Sequence, residues 1–298
     1  MPHFALRAAR ALSLLLLVGC GGATATVEAP AAARYDVLTG DLDAALAGAW
    51  RADDRARDAA RHPRETLTFF GVTPDMTVVE CWPGGGWYTR ILAPLLRDHG
   101  QLISGGLPVD DERRGQYERD FRAMVAAHPE LYDQVRLATL HPGDFLTDIP
   151  DGSVDAVLTF RSVHNWIRSE GHDPNDYFRA AARVLRPGGV LGVVQHRAPE
   201  GTPAAEDPNT GYVTEARVIA LAEAAGLVLD ARSEVNANAR DDHDHPEGVW
   251  SLPPVRRGEG MTDQERDAIG ESDRMTLRFR KPLGAPRGDE ADTAQGGA

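Results

Sequence analysis

Leu42, Leu46, Ala49 and Trp50 recur at helical spacing, which predicts helices over residues 41–70. Pro63, followed by Arg-Glu-Thr-Leu, opens the second of them, because proline suits the first helical turn. The pattern then alternates. Short β-branched runs at Thr77–Cys81, Gln101–Ser104, Val135–Thr139 and Val154–Phe160 read as strands, as do Val190–Gln195, Leu227–Val235 and Met275–Arg280. Between them lie amphipathic helical stretches at Trp87–Arg97, 112–127, 174–185 and 213–225, the penultimate ending at Arg186-Pro187-Gly188-Gly189. Strands alternating with helices imply an α/β sheet that is mostly parallel, with helices on both faces. The sequence predicts seven strands, the last at 275–280. Residues 236–272 lack periodicity and read as an insertion; 284–298 form a polar Gly/Asp/Ala tail expected to be disordered.

The amino terminus changes this picture. Arg7 and Arg10 precede the apolar run Ala11–Val18, broken only by Ser13 and too short to span a bilayer. It leads into Leu17-Val18-Gly19-Cys20, similar to the bacterial lipobox, in which the cysteine is acylated and becomes the first residue. Residues 1–19 are therefore expected to be a signal peptide, and 20–34 a lipidated Cys20 with a flexible Ala/Thr/Gly tether. Gly21 points to a lipoprotein of the outer membrane facing the periplasm. The competing reading is a plain signal peptide with a cysteine there by chance. Only one other cysteine exists, Cys81, so no intrachain disulfide is expected.

The net charge is −13, and loss of Arg7 and Arg10 with residues 1–19 takes it to about −15. So acidic a surface repels phosphate backbones, which sets nucleic acid aside as a partner.

The chemistry centres on one turn. Val78-Val79-Glu80 runs into Cys81-Trp82-Pro83-Gly84-Gly85-Gly86 and then a helix, so a ligand can approach bare backbone and helix amides. The stretch Val79 to Thr89 resembles motif I of a group of exported class I S-adenosylmethionine-dependent methyltransferase-like proteins. Other segments resemble the same group in the same order: Gly143-Asp144-Phe145 before Asp151 to Leu158, Arg161 to Trp166, Val184 to Leu191, Glu234 to Asn238, and His245 to Trp250. The resemblance covers roughly residues 41–282 and implies a Rossmann-like class I methyltransferase fold over 35–283, with the last strand (275–280) inserted antiparallel in a mainly parallel seven-stranded sheet and S-adenosylmethionine as cofactor. It implies that Glu80, Gly84 and Gly86 border the methionine and ribose, and that Asp144 and Phe145 flank the adenine. Arg161, His164, Asn165 and Trp166 would lie over the sulfonium, near the acceptor. Two positions depart from the family pattern. Trp82 stands where glycine is usual, with Pro83 expected to push it towards extended geometry and its indole expected in the pocket. Gly105-Gly106 stands where an acid should grip the ribose, leaving Asp110 or Asp111 as substitutes if the loop folds back.

Each candidate has a plainer reading beside the chemical one. His164 is the candidate base for a hydroxyl acceptor, or with Asn165 a turn pair. Arg161 binds an anionic acceptor or forms a structural ion pair. His196 reads as a solvated loop histidine. Asp241-Asp242-His243-Asp244-His245 could ligate a metal, yet acidic histidine-rich loops are common without one. No metal ligand is assigned, and residues 236–272 are read as a lid with Asn236, Asn238 and Trp250 towards the ligand. The function expected is methyl transfer to a small molecule. The alternative is an envelope small-molecule-binding protein on the same scaffold, and a weaker third is a metal-dependent enzyme using the acidic loop.

Overall fold

The computed structural model describes residues 35 and 37–284, except 113 and 170. The signal peptide, Cys20, the tether and the tail from 285 onwards lie outside the described residues.

Eight strands form one sheet: β1 (Thr77–Cys81), β2 (Gln101–Gly106), β3 (Arg136–His141), β4 (Asp144–Phe145), β5 (Val154–Phe160), β6 (Leu185–His196), β7 (Val228–Ser233) and β8 (Arg274–Arg280). Their order is β4-β3-β2-β1-β5-β6-β8-β7. Strands β3, β2, β1, β5 and β6 run parallel, and β8 is inserted antiparallel between β6 and β7. Side chains alternate across the sheet. Val78 and Leu158 join one core layer with Leu67, Phe70 and Ile91, while Val79 and Val157 join the other with Trp166, Tyr177 and Phe178. The connections leave β1 and β5 in opposite directions along the sheet, so a crevice opens at the carboxyl ends of these two neighbours.

Two elements differ from the sequence reading. The eighth strand, β4, pairs antiparallel with β3 through Leu140↔Phe145 and His141↔Asp144. Pro142-Gly143, with Gly143 at φ 97°, makes a tight turn that folds the supposed adenine loop back as a hairpin. Strand β6 also starts early. Its pairing shifts from Val154↔Leu185 to Ala156↔Val190, so Arg186-Pro187-Gly188-Gly189 is a bulge inside the strand rather than a turn before it.

The 236–272 segment carries a 3-10 turn, Gly248–Ser251, and a helix, Asp263–Ile269, begun by a Thr262/Glu265 capping box. Among the described residues no helix is long and apolar enough to cross a membrane.

Candidate functional site

At the end of β1 the Trp82 amide donates to the Gly105 carbonyl at 2.9 Å, and the chain turns sharply with Trp82 at φ 49°. The expectation that Pro83 holds Trp82 extended is thus overturned: the turn off β1 needs a left-handed residue there. The indole pins it by donating to the Leu140 carbonyl at 2.6 Å and packing edge-on against Trp166 and Tyr177. The Arg114 guanidinium covers its face at 5.1 Å. Gly84 follows at φ 58°, with nothing within 4 Å of where a Cβ would stand, so the turn presents bare backbone. Gly86, at φ 77°, is required by its backbone conformation; a Cβ would displace only the flexible tip of Met124, 2.6 Å away.

A cavity of about 930 Å³ opens over this turn, lined by Glu80, Trp82, Gly84, Arg161, His164 and Asn165 among others. Those six of the predicted residues therefore converge. Gly86, Asp144 and Phe145 are not among the lining residues. Asp144 instead accepts from the Thr147 amide and hydroxyl at 3.1 and 2.6 Å, and Phe145 packs edge-on against Tyr177. The β3–β4 hairpin carries both away from the cavity.

Glu80 is buried and accepts from the Thr89 hydroxyl at 2.6 Å. Burial pushes its carboxyl up to about 7, against the bonds from Thr89 and the charge of Arg90. A carboxyl so raised beside a cavity makes Glu80 a candidate for ligand contact. His164 is buried in the short helix Val163–Ile167 after β5, its Nδ1 3.2 Å from the Gln195 side-chain nitrogen. Burial, then the charge of Arg168, pushes it down to about 3, so the imidazole is neutral at physiological pH. Asn165 accepts from Arg114 at 3.0 Å and Arg168 at 2.9 Å. Arg161 sits at φ 61° immediately after β5, tied through its amide to the Val194 carbonyl at 2.7 Å.

The structure corrects three other assignments. His196 is not a solvated loop residue. It is buried, lines the cavity, stands 5.6 Å ring to ring from His164 and has Nδ1 2.5 Å from the Ser272 hydroxyl. The lid segment covers the strand end that sequence alone left open. Asn236 and Asn238 are framework residues. Asn236 donates to Thr66 and Thr276, and Asn238 to the Ile269 and Glu271 carbonyls, and neither lines the cavity. Trp250 does line it, edge-on to His164 and beneath Arg168.

Asp241, Asp242 and His245 hold ligand-type atoms within 4.8 Å of one another. The buried Asp241 spends its oxygens on Tyr212 Oη, the His243 and Asp273 amides and His245 Nε2, at 2.7–2.9 Å. It anchors the lid to the sheet.

Sequence reasoning missed Glu118. It is buried in the helix Gly115–Ala127, lines the cavity, accepts from the Leu107 amide at 3.1 Å and pairs with Arg122 at 2.7 Å. A Cβ on Gly106 would fall 2.3 Å from its Oε2. A buried acid thus stands beside the end of β2, carried by a neighbouring helix. Arg57, Arg61 and Arg274 also line the cavity unforeseen. Arg57 and Arg61 stand four apart in a helical stretch, a spacing that puts them on one face.

With this geometry in place, the comparisons fall into order. The profile of the methyltransferase domain family matches residues 120–193. Ribosomal RNA large subunit methyltransferase G of Streptomyces coelicolor is 45% identical over 82 residues, 27% of this chain and 22% of that protein. The chain thus spans about a fifth of that relative's length. Among solved structures, the [4+2]-cyclase SpnF superposes with a TM-score of 0.52 at 19% identity, covering 86% of this chain and 89% of its own. A SAM-dependent methyltransferase from Aquifex aeolicus superposes at 0.48, with 20% identity over 63% of this chain and 90% of its own. The fold is the Rossmann-like fold of class I methyltransferases, and the segment from the Glu118 helix to β6 carries the sequence signature of a methyltransferase domain.

Proposed function

We propose that this chain is an S-adenosylmethionine-dependent methyltransferase acting on a small molecule. One observation carries the reading: a glycine turn of bare backbone lies between two buried carboxyls, Glu80 and Glu118, at the crevice of a class I methyltransferase sheet. These residues fit the cofactor. Glu80 would take its α-amino group, the Gly84–Gly85 backbone would leave room for its chain, and Glu118 would accept the ribose hydroxyls. When bound, S-adenosylmethionine supplies an electrophilic methyl group. The chain's own task is alignment of the acceptor, and a neutral His164 and Asn165 at the same cavity can orient it and accept a hydrogen bond from it. A cavity of about 930 Å³ is at the upper end of those that bind small molecules, and the acidic surface favours a small acceptor over a polynucleotide.

The lipobox and the basic, apolar segment before it support delivery to the cell envelope as a lipoprotein anchored at Cys20, and Gly21 supports the outer membrane. That address also favours a second reading, ligand binding without methyl transfer, because it removes the chain from the compartment where the cofactor is made. The Trp82 indole, in place of the usual glycine, favours it too. Calorimetric titration with S-adenosylmethionine and adenosylhomocysteine separates the two. Binding that Glu80→Ala weakens by roughly 1–3 kcal/mol supports the transferase. Absence of binding to both ligands, in folded wild-type protein, leaves the binding-protein reading.

A further inference from the structure

The charges that line the cavity are unevenly spread. Glu80 and Glu118 lie by β1 and β2, with Arg90 and Arg114 near them, while Arg57, Arg61, Arg161 and Arg274 gather near β5 and β8. Among the described residues one carboxylate serves the last group: Glu271 accepts from Arg57 Nε at 2.6 Å and Arg61 Nε at 3.3 Å, and also pairs with Arg274. Burial alone would raise Glu271. Arg274, Arg61 and Arg57 overcome that and hold it at about 2, so it is always ionised. Three guanidinium groups on one carboxylate leave two positive charges unbalanced, and Arg161 adds a third.

The hydrogen bonds are unbalanced in the same way. Arg61 is 2% exposed, and neither its Nη1 nor its Nη2 has an acceptor. Arg57 Nη2 and Arg274 Nε are buried without acceptors as well. Among the described residues the Arg161 guanidinium has no hydrogen-bond or ion-pair partner. Burial and then the like charges of Arg61 and Arg274 depress it well below its ordinary value. Unmatched buried donors are costly, and several forks converging on one wall suit the planar geometry of an oxyanion. Of the five other acids that line the cavity, four have partners of their own: Glu80 with Thr89, Glu118 with Arg122, Asp54 with Arg90 and Asp207 with the Asn209 amide; the fifth, Glu247, belongs to the 236–272 segment and pairs with none of these four arginines.

We propose that Arg57, Arg61, Arg161 and Arg274 form an oxyanion pocket that seats a phosphate or carboxylate group of the acceptor molecule. The existence of the pocket stands on this geometry alone, whereas its assignment to the acceptor rests on the transferase reading. A remote anionic handle held there would fix the acceptor against the His164 side of the cavity, so that binding energy is used for alignment.

The probe is inorganic phosphate, followed by thermal unfolding of the full chain against chloride at matched ionic strength. A saturable rise in melting temperature is expected. Arg161→Gln should fold normally, since no described residue pairs with that guanidinium, and should weaken phosphate binding roughly tenfold or more. Arg161→Lys should fall between, keeping the charge without the fork. Arg186→Gln, at an exposed arginine paired with Asp155, should change nothing. No saturable phosphate effect, or an equal one in Arg161→Gln, overturns the pocket. Adenosylhomocysteine is then titrated at saturating phosphate. Simultaneous binding supports the acceptor assignment, and competition overturns it, since the arginines would then hold the cofactor's own carboxylate. Phosphate binding without any adenosylhomocysteine binding upholds the pocket and sinks the transferase reading alone.

Discussion

Replacing Glu80 by glutamine should make the protein more stable at alkaline pH, and by a calculable amount. The carboxyl is 2% exposed and titrates at about 7 in the folded state, against an ordinary value of 4.5. A group whose folded pKa is raised stabilises the fold fully below its unfolded pKa and loses that contribution as pH rises through the folded one. Here the loss runs from 4.5 to about 7. At about 1.4 kcal/mol per pH unit it amounts to about 3 kcal/mol. Glutamine has the same shape, and its amide oxygen can still accept from the Thr89 hydroxyl, but it carries no proton to lose. Urea denaturation of the two proteins should therefore coincide below pH 4.5 and diverge above 7, with the glutamine midpoint higher by about 1 M at the m-value of a chain this size. The same variant should bind adenosylhomocysteine less well. Parallel pH profiles, or a glutamine variant that is less stable above pH 7, would refute the claim that a buried charge is held here at a cost to the fold.

Three further outcomes are expected. At Trp82, φ 49° reverses the usual ranking: Trp82→Gly should be more stable than Trp82→Ala by about 1 kcal/mol in chemical denaturation, and the opposite order would remove the strained turn. Gly106→Ala must push the buried Glu118 carboxylate off its site, costing about 1–3 kcal/mol and weakening ligands that carry ribose; an unchanged affinity would take Glu118 out of the site. Cys20→Ala should abolish lipid labelling and leave an unprocessed precursor, and labelling that persists would sink the anchor.

What the sequence disclosed was periodic or local. The alternation of strands and helices and the turn from Glu80 to Gly86 are short-range patterns, and they appear where expected, with shifted ends; the antiparallel placing of β8 followed from the resemblance alone. The β3–β4 hairpin was equally local, written in Pro142-Gly143, but the resemblance to a ligand loop outweighed the turn chemistry. Contacts between distant elements were hidden. Nothing near Gly106 announces Glu118, twelve residues on; the only trace is a pair of glycines where an acid belongs. His196 looked exposed because the segment that buries it, around Ser272 and Trp250, lies far along the chain. Asn236 and Asn238 were misread for the converse reason: polar residues in an aperiodic segment suggest a ligand, whereas here they satisfy backbone and hydroxyl groups where β8 meets the lid.

The division of charge within the cavity bears on how a ligand must lie. A chain of net charge −13 gathers four arginines around a single glutamate on one side of its pocket, and on the other keeps two buried carboxyls with Arg90 and Arg114 near them. At an effective dielectric near 20, two unit charges about 10 Å apart still interact by about 1.7 kcal/mol, a factor above ten in population. A molecule bearing an oxyanion therefore gains on the β5–β8 side and loses beside Glu80 once that group is ionised. A cationic amine shows the reverse preference. The groups that make this field are held by the fold: Glu80 by Thr89, Glu118 by the Leu107 amide, and three of the arginines by Glu271. Two ligands of opposite local charge can enter one cavity without exchanging places, which is the condition a transfer between them requires.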